Sequence, residues 1–200
     1  SFGSILDLSS LSSSSGFKVN GLGSSDQFGE TATIIGDING DGLDDLLFGA
    51  SKRDLAIKSD VGATAVIFGA ETITSTASFD ISSLNGSNGF TIAGLNADDQ
   101  FGRYASQIGD INGDGIDDFA VAALGVDGTI KSDIGSVYVI FGNSNIGASG
   151  AGDLSALDGT TGFVIKGSTT EQSIGVSISG LGDVNGDGFD DFIFGNRNAN

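Results

Sequence analysis

The sequence of 200 residues contains no Cys, His, Met, Pro or Trp. Without Cys, the chain can form no disulfide, no zinc–thiolate site and no cysteine nucleophile. Without His, it lacks the commonest general base at neutral pH, and a Ser-His-Asp triad is excluded. Because Met is absent even from position 1, we expect a mature or trimmed form, or a fragment of a longer protein.

Basic residues are also scarce, with 8 Lys and Arg against 26 Asp and Glu and a formal net charge of -18. Nucleic acid is therefore not an expected partner, because phosphate binding needs a basic patch. No stretch approaches the about 20 continuous apolar residues that span a bilayer, and no basic and apolar leader opens the chain, so no transmembrane segment is predicted. The 38% of hydrophobic and 17% of charged residues instead predict a folded, soluble segment.

The acidic residues are concentrated, since 12 of the 26 lie in three segments of nine residues. DINGDGLDD at 37–45 recurs as DINGDGIDD at 110–118 and as DVNGDGFDD at 183–191, and both intervals are 73 residues. Other segments keep this step, such as GFKVNG, GFTIAG and GFVIKG. A fixed period of this length is typical of repeat architectures. We therefore predict one domain over 1–200, with repeats at 16–88 and 89–161 and a truncated repeat at 162–200.

Within a repeat, the apolar segments are short and rich in Val, Ile and Phe, as in TATIIG, DLLFGA, ATAVIFG and GFTIAG. Each is bounded by Gly, Ser, Asn or Asp, which predicts four strands per repeat. The 34 Gly residues disfavour helices, since each costs about 1 kcal/mol in a helix interior. Units of four antiparallel strands that repeat in this way predict an all-β fold made of β-propeller blades.

The nine-residue segment has the pattern of a calcium loop. Oxygen donors at positions one, three, five and nine, with the backbone carbonyl of position seven, suit a hard cation with six to eight ligands. Gly at position six permits the tight bend that turns these donors inward. The predicted ligands of about three calcium sites are Asp37, Asn39, Asp41, Leu43 and Asp45; Asp110, Asn112, Asp114, Ile116 and Asp118; and Asp183, Asn185, Asp187, Phe189 and Asp191. Asp44, Asp117 and Asp190, at position eight, are expected to face outward or to support the ligands.

Other interpretations of these segments were weighed. Magnesium demands a stricter octahedron and keeps its waters, and soft metals lack their ligands here. An EF-hand needs Glu at position twelve, where Phe48, Val121 and Phe194 stand. Asn-Gly and Asp-Gly also make simple hairpin turns, but a turn does not require Asp at positions one, five and nine in all three copies.

These residues resemble a known repeat. GDINGDGLDDLLFGAS, with Phe28-Gly29 before it and GATAVIFG after it, is similar to the FG-GAP repeat of integrin α-chain β-propellers and their bacterial relatives. The resemblance covers nearly the whole chain. The sequence departs from the pattern because the GAP element reads GAS, AAL and GNR, and because Ile-Gly replaces the third Phe-Gly.

The resemblance implies that each loop joins the first two strands of a blade and that its calcium is structural, away from the ligand-binding side of the disc. It also implies blades at 28–95 and 101–168, a third blade begun at 174, and GFKVNG as the outer strand of a preceding blade. About two and a half blades form an incomplete ring, since a closed one normally needs at least four. Ring closure by missing blades or by oligomerisation is therefore expected.

Three functions are consistent with this sequence. The first is a non-catalytic, calcium-stabilised module of an extracellular or cell-surface protein, which serves adhesion or binds an unknown protein or glycan ligand. The second is the propeller scaffold of a secreted polysaccharide lyase or hydrolase, for which Arg103 and Tyr104, in place of Glu30 and Thr31, are the best candidates. The third is a structural spacer in a large surface protein.

Overall fold

The computed structural model describes residues 11–12, 16–70, 78–127, 133–168 and 173–197. Within these ranges the chain forms strands and two short 3-10 turns, Ile81–Ser83 and Leu154–Ala156, and no α-helix. The strands are β1 (Lys18–Asn20), β2 (Ala32–Gly36), β3 (Asp45–Ala50), β4 (Ala63–Ile67), β5 (Ser78–Asp80), β6 (Gly89–Ala93), β7 (Phe101–Gly109), β8 (Asp118–Ala123), β9 (Ser136–Ile140), β10 (Ala151–Gly152), β11 (Gly162–Lys166), β12 (Ile174–Gly182) and β13 (Asp191–Asn196).

Two four-stranded antiparallel blades follow each other along the chain. The first has the order β6-β4-β3-β2 and the second has the order β11-β9-β8-β7. β12 and β13 pair as the first two strands of a third blade. The predicted all-β fold with four-stranded antiparallel blades is therefore confirmed, and the described residues form no closed ring.

The third strand of each complete blade is covered on both faces. Every residue of β4, ATAVI, and of β9, SVYVI, is buried. This burial explains why these strands are nearly continuous apolar runs and not alternating ones. The described repeats thus build one core that extends from blade to blade.

Side chains of the first two strands alternate between the two neighbouring blades, as the period of two in a strand requires. Leu47 of β3 is fully buried in one cluster with Phe119 and Val121 of the second blade. Ala120, on the opposite face of β8, is fully buried in a second cluster with Phe192 of β13. Each blade therefore packs one face on the preceding repeat and the other on the next.

Short parallel additions at the outer edges were not predicted from the sequence. β10 pairs with the outer strand β6, and β1 pairs with β5 in the same parallel sense. Since β5 and β10 are 73 residues apart, β1 stands to β5 as β6 stands to β10. GFKVNG thus has the relation to its neighbour that an outer strand of a preceding blade would have. The repeat boundaries at 16–88, 89–161 and 162–200 remain predictions.

Candidate metal centre

Each predicted calcium loop connects the first and second strands of a blade, between β2 and β3, between β7 and β8, and between β12 and β13. Gly at position six has a φ of 90° in the first loop, 88° in the second and 92° in the third. An added Cβ would meet nothing within 4 Å at any of the three. Glycine is therefore required there by the left-handed backbone and not by a lack of space.

The side chains at positions one, three and five are fixed by backbone N–H groups of their own loop. Asp37 Oδ1 accepts from Gly40 N at 2.8 Å and from Asp41 N at 3.0 Å, and its Oδ2 accepts from Gly42 N at 2.8 Å. Asn39 Oδ1 accepts from Asp41 N at 2.8 Å. The short side chains of Asp and Asn are suited to such bonds with the following residues. The sequence thus folds the loop around its own predicted donors.

The other two loops repeat this network. In the second loop, Asp110 accepts from Gly113 N at 2.7 Å and from Gly115 N at 2.8 Å. In the third, Asp183 accepts from Gly188 N at 2.9 Å, and this bond is the main cause that lowers its pKa. The three loops are therefore equivalent in geometry as well as in sequence.

Asp at position nine ties the loop to the sheet. Asp45 is fully buried, and its two oxygens accept from Ile38 N at 3.0 Å and from Gly69 N, just after β4, at 2.8 Å. Asp118 is equally buried and accepts from the equivalent groups, Ile111 N at 3.0 Å and Gly142 N at 2.9 Å. One carboxylate therefore joins the start of the loop, its end and the third strand.

Burial disfavours the charged form of these two carboxyls. It raises the pKa of Asp45 to about 6 and that of Asp118 to about 7, although their backbone hydrogen bonds act in the opposite direction. Asp41 and Asp37 add a smaller repulsion to Asp45, and Asp114 and Asp110 do the same to Asp118. A cation bound in the loop would oppose both effects.

The donor chemistry of the loops fits a hard cation. The predicted side-chain donors are all oxygens, and the ion pairs found among the described residues, Lys52–Asp60 and Arg103–Glu30, involve none of them. The loop charges are thus not neutralised by basic side chains. However, no three carboxylates in the described ranges are grouped closely enough to hold a metal ion by themselves. The ligand sets, including the carbonyls of Leu43, Ile116 and Phe189, therefore remain predictions.

The Asp residues at position eight have a role that the sequence did not reveal. Asp117 Oδ2 accepts from Asp37 N, in the loop of the preceding repeat, at 3.0 Å, and Asp117 N donates to Asp37 O at 3.2 Å. Asp190 makes the same two bonds with Asp110, at 3.0 and 3.2 Å. Asp117 and Asp190 thus do not face outward but hold the loop of the neighbouring blade, whereas Asp44 is exposed.

The glycine before each of these two loops leaves room for the carboxylate of the next repeat. A Cβ at Gly36 would lie 2.6 Å from Asp117 Cγ, and one at Gly109 would lie 2.7 Å from Asp190 Cγ. The residue at position seven packs beside this link, since a Cβ at Gly40 would lie 3.4 Å from Ile116 Cδ1. Recurrence of Asp at a position without a ligand role was the signal in the sequence for this contact.

Arg103, the candidate for a catalytic role, lies between the first and second blades. Its Nε is 3.8 Å from Glu30 Oε1, and its Nη1 donates to Gln100 Oε1 at 2.8 Å. Thr31 Oγ1 donates to the Arg103 backbone oxygen at 2.6 Å, and Ser51 Oγ donates to Glu30. These contacts give Arg103 a role in joining the two blades, and they do not test whether the protein is an enzyme.

Comparison with known families identifies part of the chain. Residues 103–140 match the FG-GAP repeat family, from β7 through the second loop to the end of β9. The chain therefore contains an FG-GAP repeat, as the sequence predicted. Such repeats often bind calcium and usually belong to extracellular adhesion or binding proteins. None of the curated proteins matches the chain significantly. In the described part of the chain, no helix has the length and apolar character needed to cross a membrane.

Proposed function

We propose that this chain is a calcium-binding propeller module of an extracellular or cell-surface protein, and that it serves adhesion or ligand binding without catalysis. The observation that carries the proposal is the equivalence of the three loops, in which the predicted oxygen donors are ordered by the same hydrogen bonds. A repeated loop of this kind is explained by a repeated ligand. Calcium is that ligand, because the side-chain donors are carboxylates and amides only.

Calcium would act on stability through the carboxylate at position nine. Asp45 links Ile38, at the start of the loop, to Gly69, after the third strand, and burial disfavours its charge. A divalent cation offsets that cost, so that the loop and the strands are stabilised together. Extracellular calcium modules bind with a Kd of roughly 10⁻⁴ to 10⁻³ M, which suits concentrations outside the cell.

The ligand-binding function belongs to the opposite ends of the strands. The connection between β3 and β4 and the start of β7 carry Lys52, Arg53, Lys58 and Arg103, which are four of the eight basic residues of the chain. The calcium loops lie at the other ends of the same strands and carry only acidic charges. We place an unidentified protein or glycan ligand on the side that bears these basic residues, and we include no catalytic step because Arg103 is engaged by Glu30 and Gln100.

Calorimetric titration of the full chain with calcium tests the proposal. We expect up to three sites and the loss of one site in each of the variants Asp37→Ala, Asp110→Ala and Asp183→Ala. Asp158→Ala is the matched control, since Asp158 accepts from Thr160 in an exposed turn outside the loops. Failure of calcium to bind, or equal effects of the control, would overturn the metal assignment. Turnover of an acidic glycan that is lost in Arg103→Ala would overturn the non-catalytic one.

A further inference from the structure

The third repeat exposes an apolar face whose equivalents are buried in the other two repeats. Leu181 is 48% exposed and Ile193 is 56% exposed. Their equivalents 73 residues earlier, Ile108 and Ala120, are fully buried against the third repeat. Val184, in the loop, is 65% exposed. These three residues form the front face, which in the first and second repeats is covered by the next blade.

The first repeat exposes the complementary face. Ile34 is 52% exposed and lies opposite Leu46 in the sheet, so that both project to the same side. Leu46 and Phe48 are half-buried, whereas their equivalents in the second repeat, Phe119 and Val121, are fully buried against the first blade. The back face, Ile34, Leu46 and Phe48, is therefore the side by which a repeat packs on the one before it.

The polar link between loops has an open counterpart at each of these faces. Gly182 has a φ of 68°, and an added Cβ there would meet only Asp190 Oδ1 at 4.0 Å, whereas at Gly36 and Gly109 the carboxylate of the next repeat occupies this place. Asp44, the position-eight residue of the first repeat, is exposed.

The apolar part of the link is open in the same way. A Cβ at Gly186 would meet nothing within 4 Å, whereas one at Gly113 would lie 2.5 Å from Phe189. Leu43, the residue of the first repeat equivalent to Phe189, is 41% exposed.

We propose that a second copy of this chain docks its back face on the front face of the first copy. The contact repeats the one that already joins the first blade to the second and the second to the third. Asp44 of the second copy would accept from the backbone N–H of Asp183, and its Leu43 would lie on Gly186. Two different surfaces meet in this contact, so the association is head-to-tail and continues to a ring or a filament. It does not depend on the proposed ligand-binding function.

Sedimentation equilibrium of the full chain in calcium-containing buffer tests this association, with circular dichroism to check the fold of each variant. The unmodified chain should exceed the 20.0 kDa of one copy as its concentration rises. Ile193→Asp, on the front face, and Ile34→Asp, on the back face, should each remain at the mass of one copy. An equimolar mixture of the two should form a complex of two copies and nothing larger, because each variant keeps one intact face.

Ile57→Asp is the matched control, since Ile57 is an exposed apolar residue outside both faces. It should associate like the unmodified chain, and Asp44→Ala should weaken association about tenfold through the loss of one charged hydrogen bond. Four results would each overturn the proposal: a single-copy mass at every concentration, normal association of either face variant, no complex in the mixture, or equal loss of association in the control. The mixture also distinguishes a head-to-tail contact from one between two identical faces.

Discussion

Replacement of Gly36 with Ala should destabilise the chain much more than the same replacement at an open glycine. Gly36 has a φ of 80°, and its Cβ would lie 2.6 Å from Asp117 Cγ. Ala must accept a left-handed backbone, at about 1–2 kcal/mol, and must displace the carboxylate that accepts from Asp37 N, at about 1.5–3 kcal/mol. The total of about 3–5 kcal/mol corresponds to a fall in Tm of roughly 6–20 °C for a chain of this size.

Gly159→Ala separates the two contributions. Gly159 has a φ of 93°, and an added Cβ meets nothing within 4 Å, so only the backbone term of about 1–2 kcal/mol applies. Guanidinium unfolding in calcium-saturated buffer, followed by circular dichroism, measures both variants. In an Asp117→Ala background the cost of Gly36→Ala should fall to that of Gly159→Ala. Equal costs of the two glycine variants in the unmodified background, or an unchanged cost in the Asp117→Ala background, would refute the reasoning.

Three further predictions follow from individual contacts. Asp190→Ala should lower the free energy of unfolding by about 1–3 kcal/mol, because it frees Asp110 N, whereas Asp44→Ala should leave it unchanged at concentrations where the chain is a single copy; similar values for both would contradict the link between loops. Arg103→Ala should destabilise by less than about 1 kcal/mol, because the pair with Glu30 is partly exposed, and a much larger loss in urea unfolding would show that the contact is misjudged. Burial raises the pKa of Asp99, so its folded state binds a proton more readily than the unfolded chain; stability from this group is present at acidic pH and is lost as pH rises, and Asp99→Asn should therefore raise Tm at pH 7 by more than at pH 4. A gain in Tm that did not depend on pH would contradict that cause.

The strands and loops could be predicted because they depend on local and repeated patterns. Short apolar segments between Gly, Asn and Asp indicated the strands of a blade, and the 73-residue step showed that the loops are copies. Burial of Asp45 and Asp118 follows from the same pattern, since position nine opens the second strand. The all-β blades and the FG-GAP repeat at 103–140 were thus accessible without coordinates.

The contacts between repeats could not be predicted in this way. Asp37 and Asp117 are 80 residues apart, and only the packing of one blade on the next brings the carboxylate to the loop. The parallel pairs of β10 with β6 and of β1 with β5 likewise join segments that belong to successive repeats. The Phe-Gly pair shows the same dependence, because Phe101 begins a nine-residue strand and its N–H donates to Val61 of the preceding repeat at 3.1 Å. Phe28 has no described preceding repeat beside it and lies outside β2.

Calcium-dependent thermal unfolding tests the central claim most directly. At a calcium concentration of ten times the Kd, three sites would each add about 1.4 kcal/mol, which together should raise Tm by roughly 8–17 °C for a chain of this size. We predict that difference between calcium-saturated buffer and buffer with EDTA, and a much smaller one when magnesium replaces calcium. The same Tm in calcium and in EDTA would contradict the assignment of the three loops as stabilising calcium sites.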